Sequence, residues 1–217
     1  MRLLAALGLV VALLMPGLAQ AQAASYDITD PAIQDFYDAH GGAAVFGDPI
    51  SRQFTLVGTP IQIFQNAVLR IVPDGSVQVL QLTDPTLLPY THMDGLTVPA
   101  ADPSVAVVAP ATDQPNYNAR LEGFLQGIVA PQIQPYYDPD VWGLPTSFAL
   151  PDPNNPSFLY QRFENGILFY DATTNTVRAL PMGQYFKAIL TRQGLPPDLA
   201  TDAANSPFLG LAPPDAF

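Results

Sequence analysis

The chain carries one sequence pattern twice, and this repeat constrains its fold more strongly than any other feature. A loop in which glycine and proline are separated by one residue occurs within 46–51 and again within 142–147. A strand-like segment containing Gln, Phe and Asn follows at 61–70 and again at 160–169. The offset between the copies is 96 residues for the loop and 99 for the strand segment, so order and spacing are kept. Two copies in one order predict two modules of similar fold.

The residues common to both copies are expected to build each module. In each copy a Gln precedes a Phe by two residues, which places both side chains on one face of a strand. A Gln beside a core Phe needs hydrogen-bond partners, and the neighbouring loop offers free backbone groups. Each Gln is therefore either a clamp on the loop or a ligand contact. The shared residues are Phe46, Gly47, Pro49, Gln62, Phe64 and Asn66 in the first copy, and Gly143, Pro145, Gln161, Phe163, Asn165 and Gly166 in the second.

Each copy predicts a short helix, the Gly-x-Pro loop and a three-stranded antiparallel meander. Asn66 and the Asn165-Gly166 pair mark hairpin turns, where left-handed backbone conformations are common. Because a three-stranded sheet alone is marginally stable, we expect the two copies to pack as one β-rich α+β globule. The predicted strands are 60–65, 67–72 and 77–82 in the first copy, and 158–164, 167–171 and 176–181 in the second.

Helices and linkers complete the predicted organisation. A first helix begins at Asp30-Pro31, because Asp is a good cap and Pro suits the first helical position. Apolar periodicity predicts two more, at 118–128 and 183–193. Between the modules, frequent prolines without helical period predict an extended linker or a sheet-edge segment around 105–108. The last segment is expected to wrap the surface or to be disordered. The resulting plan is a signal peptide at 1–23, a first module at 25–96, a Pro-rich linker at 97–115, a second module at 116–194 and a Pro-rich tail at 195–217.

The N-terminal segment has the pattern of an export signal. Arg2 is followed by an apolar stretch from Leu3 to Leu14, and small residues with two Ala-x-Ala sites come next. This order predicts secretion, with retention of the segment as a membrane anchor left open. After cleavage we expect no membrane association, because no second long apolar segment follows.

Charge and cysteine content exclude several classes of function. With 8 Lys and Arg against 19 Asp and Glu, the net charge is −11, which disfavours nucleic acid and anionic membrane surfaces as partners. The chain has no Cys, so disulfides and thiolate metal sites are impossible. His40 and His92 are the two His residues and have no zinc-site spacing, so no metal or other cofactor is expected.

The second copy resembles the LGFP repeat over about 40 residues, from Gly143-Leu144-Pro145-Thr146-Ser147 through Gln161 to Tyr170. The first copy looks like a related module that is widespread in exported proteins of Chloroflexi-like bacteria. The resemblance implies an extracellular, envelope-associated module of the kind that is often appended to hydrolases. It also implies attachment to cell-wall glycan as the expected role.

Aromatic and charged residues cluster in the second copy and form the candidate ligand site. Exposed aromatic rings beside carboxylates would suit a sugar, whose C–H bonds contact rings and whose hydroxyls bind carboxylates. Ordinary packing is the competing interpretation, since Trp142 occupies the position of Phe46. The candidate residues are Tyr136, Tyr137, Trp142, Tyr160, Arg162 and Glu164.

No catalytic residue is predicted. Glycoside hydrolysis needs two facing carboxyl groups, whereas Glu164 corresponds to Gln65 in the first copy and sits at a predicted turn. The predicted function is a secreted, non-catalytic binding or adhesion module for cell-wall or environmental glycan. A structural or interaction protein of the cell envelope is the first alternative, and a secreted hydrolase is the second.

Overall fold

A computed structural model describes residues 26–217, so the predicted signal peptide lies outside the described residues. The first copy forms a four-stranded antiparallel sheet in which neighbouring strands are consecutive in the sequence, and two helices precede it. Asp30 caps the first helix by accepting from the backbone N–H groups of Ala32 and Ile33, as its sequence predicts. The elements are α1 (Pro31–Ala39), α2 (Ala43–Phe46), β1 (Phe54–Leu56), β2 (Thr59–Ile63), β3 (Val68–Ile71) and β4 (Val77–Val79).

The second copy forms a matching four-stranded antiparallel sheet, in which neighbouring strands are again consecutive in the sequence. Together the helices and antiparallel sheets confirm the predicted α+β class. The helix expected at 118–128 is α4 (Tyr117–Ile128), and that expected at 183–193 is α6 (Met182–Thr191). The remaining elements are a 3-10 turn (Gln134–Tyr136), α5 (Pro139–Trp142), β7 (Leu150–Pro151), β8 (Phe158–Arg162), β9 (Ile167–Asp171) and β10 (Thr176–Ala179).

Each sheet has four strands, so the predicted three-stranded meanders were incomplete. In the first copy Phe54 of β1 pairs with Ile61, and in the second Leu150 of β7 pairs with Tyr160. These extra strands are two or three residues long and follow directly after the Gly-x-Pro loop. They carry no alternation of apolar and polar residues long enough to reveal a strand.

The predicted linker at 97–115 contains a helix, which corrects the expectation of an extended segment. The helix α3 (Pro103–Val108) begins after Asp102, whose side chain accepts from the backbone N–H of Ser104 at 2.8 Å. The Asp-Pro start is the same as that of α1, and it begins a helix here although the segment has no apolar period of 3.6 residues. Before it, a two-stranded hairpin joins β5 (His92–Met93) to β6 (Leu96–Thr97).

The Pro-rich tail is part of the folded core. It contains α7 (Pro197–Asp202) and a 3-10 turn (Ala203–Asn205), and Ala216 near its end is fully buried. Ala216 also accepts a backbone hydrogen bond from Arg52 at 2.9 Å. The tail therefore packs against the first copy despite its high proline content.

The two copies share their hydrophobic cores, which makes the molecule one globule. One cluster joins Phe46 and Phe64 of the first copy to Trp142 and Phe163 of the second. The other joins Ile63 of the first sheet to residues of the second sheet and of α6. A single small sheet would leave one face exposed to water, and each copy covers the other instead.

The copies also contact each other reciprocally, through the segment that follows each sheet. Thr83, after the first sheet, donates its hydroxyl to Phe163 O at 2.5 Å and to Glu164 O at 2.7 Å. Gly183, which is 100 residues later in the sequence, lies against the carbonyl of Phe64, and Gln184 N donates to Gln65 O at 3.1 Å. The segment that follows each sheet therefore packs on the hairpin turn of the other copy.

Candidate functional site

Gln161 and Gln62 hold neighbouring backbone segments inside the fold. Both side chains are fully buried. The amide nitrogen of Gln161 donates to Ser147 O at 3.0 Å and to Ile128 O at 2.9 Å, and its oxygen accepts from Ala130 N at 3.0 Å. Gln62 donates to Ser51 O and to Asp27 O, while its oxygen has no protein partner. These contacts use the amides as clamps on the segment that follows the Gly-x-Pro loop.

The residues after each Phe hold the loop itself. Glu164 accepts from the backbone N–H of Leu144 at 2.9 Å, and Gln65 accepts from that of Asp48 at 3.1 Å. The carboxylate at 164 therefore does the same work as an amide in the first copy. This equivalence assigns Glu164 a structural bond that needs no catalytic explanation.

The two hairpin asparagines act through their side chains rather than through a left-handed backbone. Asn165 donates to Val141 O at 2.8 Å, and Asn66 donates to Val45 O at 2.9 Å. Neither Asn165 nor Gly166 has a positive φ, so the predicted left-handed turn was wrong. Gly166 is required for a different reason, because a Cβ there would lie 3.1 Å from the ring of Trp142.

The aromatic cluster does not form the exposed platform that the sequence suggested. Trp142 is 0% exposed and Tyr160 is 2% exposed, so neither ring can stack on a ligand from solvent. Tyr136 is half-buried and stacks on Trp142 with ring centroids 6.2 Å apart. Tyr137 stacks on Phe163 and donates its hydroxyl to Gly143 O at 2.7 Å. Trp142 and Tyr160 therefore belong to the core, and Tyr136 and Tyr137 pack on core rings. The Trp142 ring lies in the space beside Gly166.

Arg162 is also buried, at 1% exposure, and holds the segment between the modules. Its guanidinium donates to Tyr90 O at 2.6 Å and to Pro99 O at 2.7 Å. Desolvation lowers the pKa of Arg162 to about 10. Arg162, which stands where the first copy has Ile63, therefore stabilises the fold, and its burial leaves it no surface for a ligand.

A further part of the repeat was missed by the sequence reasoning. Ile33-Gln34 and Phe36-Tyr37 recur 100 residues later as Ile133-Gln134 and Tyr136-Tyr137. Tyr37 stacks on Phe64 and donates to Gly47 O at 3.2 Å, which matches the contacts of Tyr137. The signal was present, but the segment before the loop is four residues shorter in the second copy, which broke the register.

The structure brings together a cleft of about 430 Å³ between the two copies. One side is built by α1 and by strands β3 and β4, and the other by α5 and the second hairpin turn. Most of the lining groups can form hydrogen bonds, and Phe36 and two valines add an apolar part. The lining residues are Phe36, His40, Arg70, Val77, Gln78, Val79, Gln81, Pro139, Asp140, Gly143, Glu164 and Asn165.

The cleft contains charged groups that are not neutralised by each other. Among residues 26–217 the one close contact between a basic and an acidic side chain is the hydrogen bond of His40 Nδ1 with Asp138 Oδ2 at 2.9 Å, which joins the two copies beside the cleft. Arg70 donates to Gln78 at 2.9 Å and pairs with neither Glu164 nor Asp140. Groups of this kind can bind a ligand rich in hydroxyl or amide groups.

Differences between the copies open this cleft on one side of the molecule. On the other side, the hydroxyl of Tyr136 donates to Ala44 O at 3.1 Å and so spans the equivalent position. Phe36 lacks that hydroxyl, and Asp140 replaces Ala44. The differing pairs are Phe36 and Tyr136, Arg70 and Phe169, Asp140 and Ala44, and Glu164 and Gln65.

Within residues 26–217 no three His, Asp or Glu side chains converge as a possible metal site. No helix in that range has both the length and the apolar character needed to cross a membrane.

Burial of tyrosines lowers the stability of the fold at high pH. Desolvation raises the pKa of Tyr160 and Tyr185 to about 12, and also raises that of Tyr137. A tyrosine in the unfolded chain ionises near pH 10, so the unfolded form loses these protons first. The free energy of unfolding therefore does not change through these groups below about pH 10 and falls between about pH 10 and 12. Arg162 acts in the opposite sense, because its lowered pKa makes the folded form lose its proton first.

The tyrosines outnumber this arginine, so we expect the thermal unfolding midpoint to stay constant up to about pH 10 and to fall above it. Tyrosinate absorbance should rise together with unfolding. The measurement is a series of thermal melts across this pH range, followed by circular dichroism and by tyrosinate absorbance. A midpoint that rises through this range would contradict the expected balance.

Comparison with protein-family models, with curated proteins and with solved structures finds no match to this chain.

Proposed function

We propose that this protein is an exported, non-catalytic module that binds glycan in the cleft between its two copies. The observation that carries the proposal is the cleft itself, which combines carboxylates, amides and a guanidinium with the ring of Phe36. Saccharides present hydroxyls and apolar C–H faces at once, and this mixed lining complements both. Export rests on the N-terminal signal pattern, and the LGFP-like pattern supports a place in the cell envelope.

We expect no catalysis, because the candidate acid Glu164 holds the loop of the second copy through a hydrogen bond. Glu164 is bound to the backbone of Leu144 at 2.9 Å in the way that Gln65 is bound to Asp48. A glycosidase needs one carboxyl group to move a proton and a second to face it across the sugar. We therefore expect no release of new reducing ends when the protein is incubated with polysaccharides.

The test is retention on insoluble peptidoglycan, chitin and cellulose in a sedimentation assay. Gln81 is exposed at the cleft, so Gln81→Trp would fill it without disturbing the core. We expect this variant to lower the affinity by about tenfold or more. Gln193→Trp, an exposed substitution at a separate cleft, is the matched control and should bind as the unchanged protein does.

Failure of the unchanged protein to sediment with any polysaccharide would refute glycan binding. The alternative function, a structural or interaction protein of the envelope, would then be preferred. It is supported by the burial of Gln62 and Gln161, the repeated glutamines, whose amides stabilise the fold. Concentration-dependent assembly, or an envelope protein recovered by crosslinking, would favour it.

A further inference from the structure

The C-terminal end of the chain covers one position beside the first sheet. Ala216 O accepts from the backbone N–H of Arg52 at 2.9 Å, and the ring centroid of Phe217 lies 5.9 Å from that of Phe54. Phe54 is 7% exposed and belongs to the hydrophobic core that the copies share. One backbone hydrogen bond and one aromatic contact therefore join the end of the chain to the segment that enters β1.

The equivalent position of the second copy is uncovered. Strand pairing establishes the equivalence, because Leu150 pairs with Tyr160 in the register in which Phe54 pairs with its own partner. Leu150 is 52% exposed, and Phe148, two residues before it, is 44% exposed. Within the described part of the chain, the backbone N–H of Phe148 has no acceptor. The second copy therefore presents a donor and two apolar side chains at the place that the chain end covers in the first.

The two positions differ in charge. Beside the first sheet, Lys187 Nζ lies 4.4 Å from the ring centroid of Phe217 and donates to Ile50 O at 2.6 Å. In the second copy the equivalent carbonyl, Thr146 O, accepts instead from the backbone N–H of Asp102 at 2.7 Å. The arginine that donates to the chain end in the first copy is replaced by a phenylalanine. The second position thus lacks both cations and has a carboxylate nearby, which disfavours a ligand that ends in a carboxylate.

We propose that Phe148 and Leu150 form a docking face, the β7 face, for a peptide segment of a partner protein. The segment carries an aromatic side chain and has no carboxylate beside it. Its backbone carbonyl accepts from the N–H of Phe148, and its ring packs on Leu150 as Phe217 packs on Phe54. Aromatic side chains are frequent anchors of protein interfaces. The inference goes beyond glycan binding and does not depend on it.

The occupant is a different protein rather than a second copy of this chain. Leu199 and Ala216 of the tail are fully buried, so a second copy would have to unfold its own tail in order to offer it. Pairing of two β7 strands at their open edges is also disfavoured, because Pro151 has no N–H to donate. A partner segment needs only the N–H of Phe148, just as the chain end uses only that of Arg52.

The experiment uses a synthetic peptide of residues 211–217, acetylated at its start and amidated at its end, in isothermal titration calorimetry with the whole protein. The tethered tail keeps its own position because its effective concentration is high. We expect one peptide to bind per protein, at least about tenfold more tightly than the same peptide carrying Phe217→Ala. The peptide with a free carboxylate at its end should bind more weakly than the amide, because the β7 face has no cation.

Substitutions assign the binding to the β7 face. Leu150→Asp puts a charge where the aromatic ring would pack, so it should weaken peptide binding at least about tenfold. Phe148→Ser removes the second apolar side chain and should also weaken it. Val57→Asp, at an apolar residue of the first copy that is 79% exposed, is the matched control and should leave the affinity unchanged. A thermal melt of each variant shows whether the fold is kept.

Contrary results would overturn the inference in distinct ways. Absence of binding at millimolar concentrations of the amidated peptide would do so in the unchanged protein, without any substitution. Equal affinity of the Phe217→Ala peptide would show that no aromatic anchor is recognised, and equal or tighter binding of the carboxylate-ended peptide would refute the argument from charge. Unaltered binding in both Leu150→Asp and Phe148→Ser would place the peptide elsewhere on the protein. A dimer that forms with rising concentration and is lost in Leu150→Asp would show that a second copy occupies the face.

Discussion

Gly183→Ala is expected to destabilise the protein by at least about 3 kcal/mol, although the same change stabilises most helices. Gly183 lies near the start of α6, where that helix crosses the hairpin of the first copy. A Cβ at this position would lie 1.9 Å from Phe64 O and 2.8 Å from Ala67 O. Both obstacles are backbone atoms, so the contact can be relieved only by moving the helix away from the first sheet.

The measurement is urea unfolding of the variant beside a matched control. Gly123 and Gly127 lie within α4, and a Cβ at either would meet nothing within 4 Å. Gly123→Ala and Gly127→Ala should therefore stabilise the protein by about 0.5–1 kcal/mol each. A free energy of unfolding of Gly183→Ala that equals or exceeds those of the controls would show that the copies do not dock through this glycine.

Gln161→Leu is expected to cost about 3–5 kcal/mol, the second large effect. The substitution would leave Ala130 N and Ser147 O buried without their partner, and would remove the bond to the part-buried Ile128 O. Each such group costs about 1–3 kcal/mol when water cannot reach it. Leucine adds apolar surface in return, which lowers the total below the sum of three separate losses.

The first copy supplies an internal comparison for this prediction. Gln62 holds two carbonyl groups, and its own oxygen has no protein partner. Gln62→Leu should therefore cost about 1–2 kcal/mol less than Gln161→Leu. Urea unfolding of both variants at one pH tests the order, and a larger loss for Gln62→Leu would contradict the hydrogen-bond account.

The helices were the most predictable elements, because their start and stop signals are local. Asp30-Pro31 marks the start of α1, and the apolar face of α6 with Tyr185 and Phe186 turned inward is buried as its spacing predicts. Strands β1 and β7 escaped prediction because two or three residues carry no readable period. The helix α3 escaped because its proline-rich surroundings outweighed a single cap in the sequence reasoning.

The candidate site was the least predictable feature. Trp142, Tyr160 and Arg162 were candidates because aromatic and charged residues cluster in the second copy, and all three are buried. Sequence comparison shows that two residues differ, but it does not show on which side of a sheet each one lies. The cleft depends on residues of both copies, such as Arg70 and Asp140, which lie 70 positions apart in the chain.

The repeat of Gly-x-Pro and Gln-x-Phe establishes two similar units, their order and the residues that hold their loops. Those properties follow from contacts within one copy, which short stretches of sequence encode. The packing of the copies against each other decided which aromatic rings are buried and where the cleft lies. Equivalent residues then met unlike neighbours, since Tyr136 reaches Ala44 on one side of the molecule whereas Phe36 leaves its side open. A binding surface formed by two copies depends on tertiary contacts, and these are set by the summed packing of the whole chain.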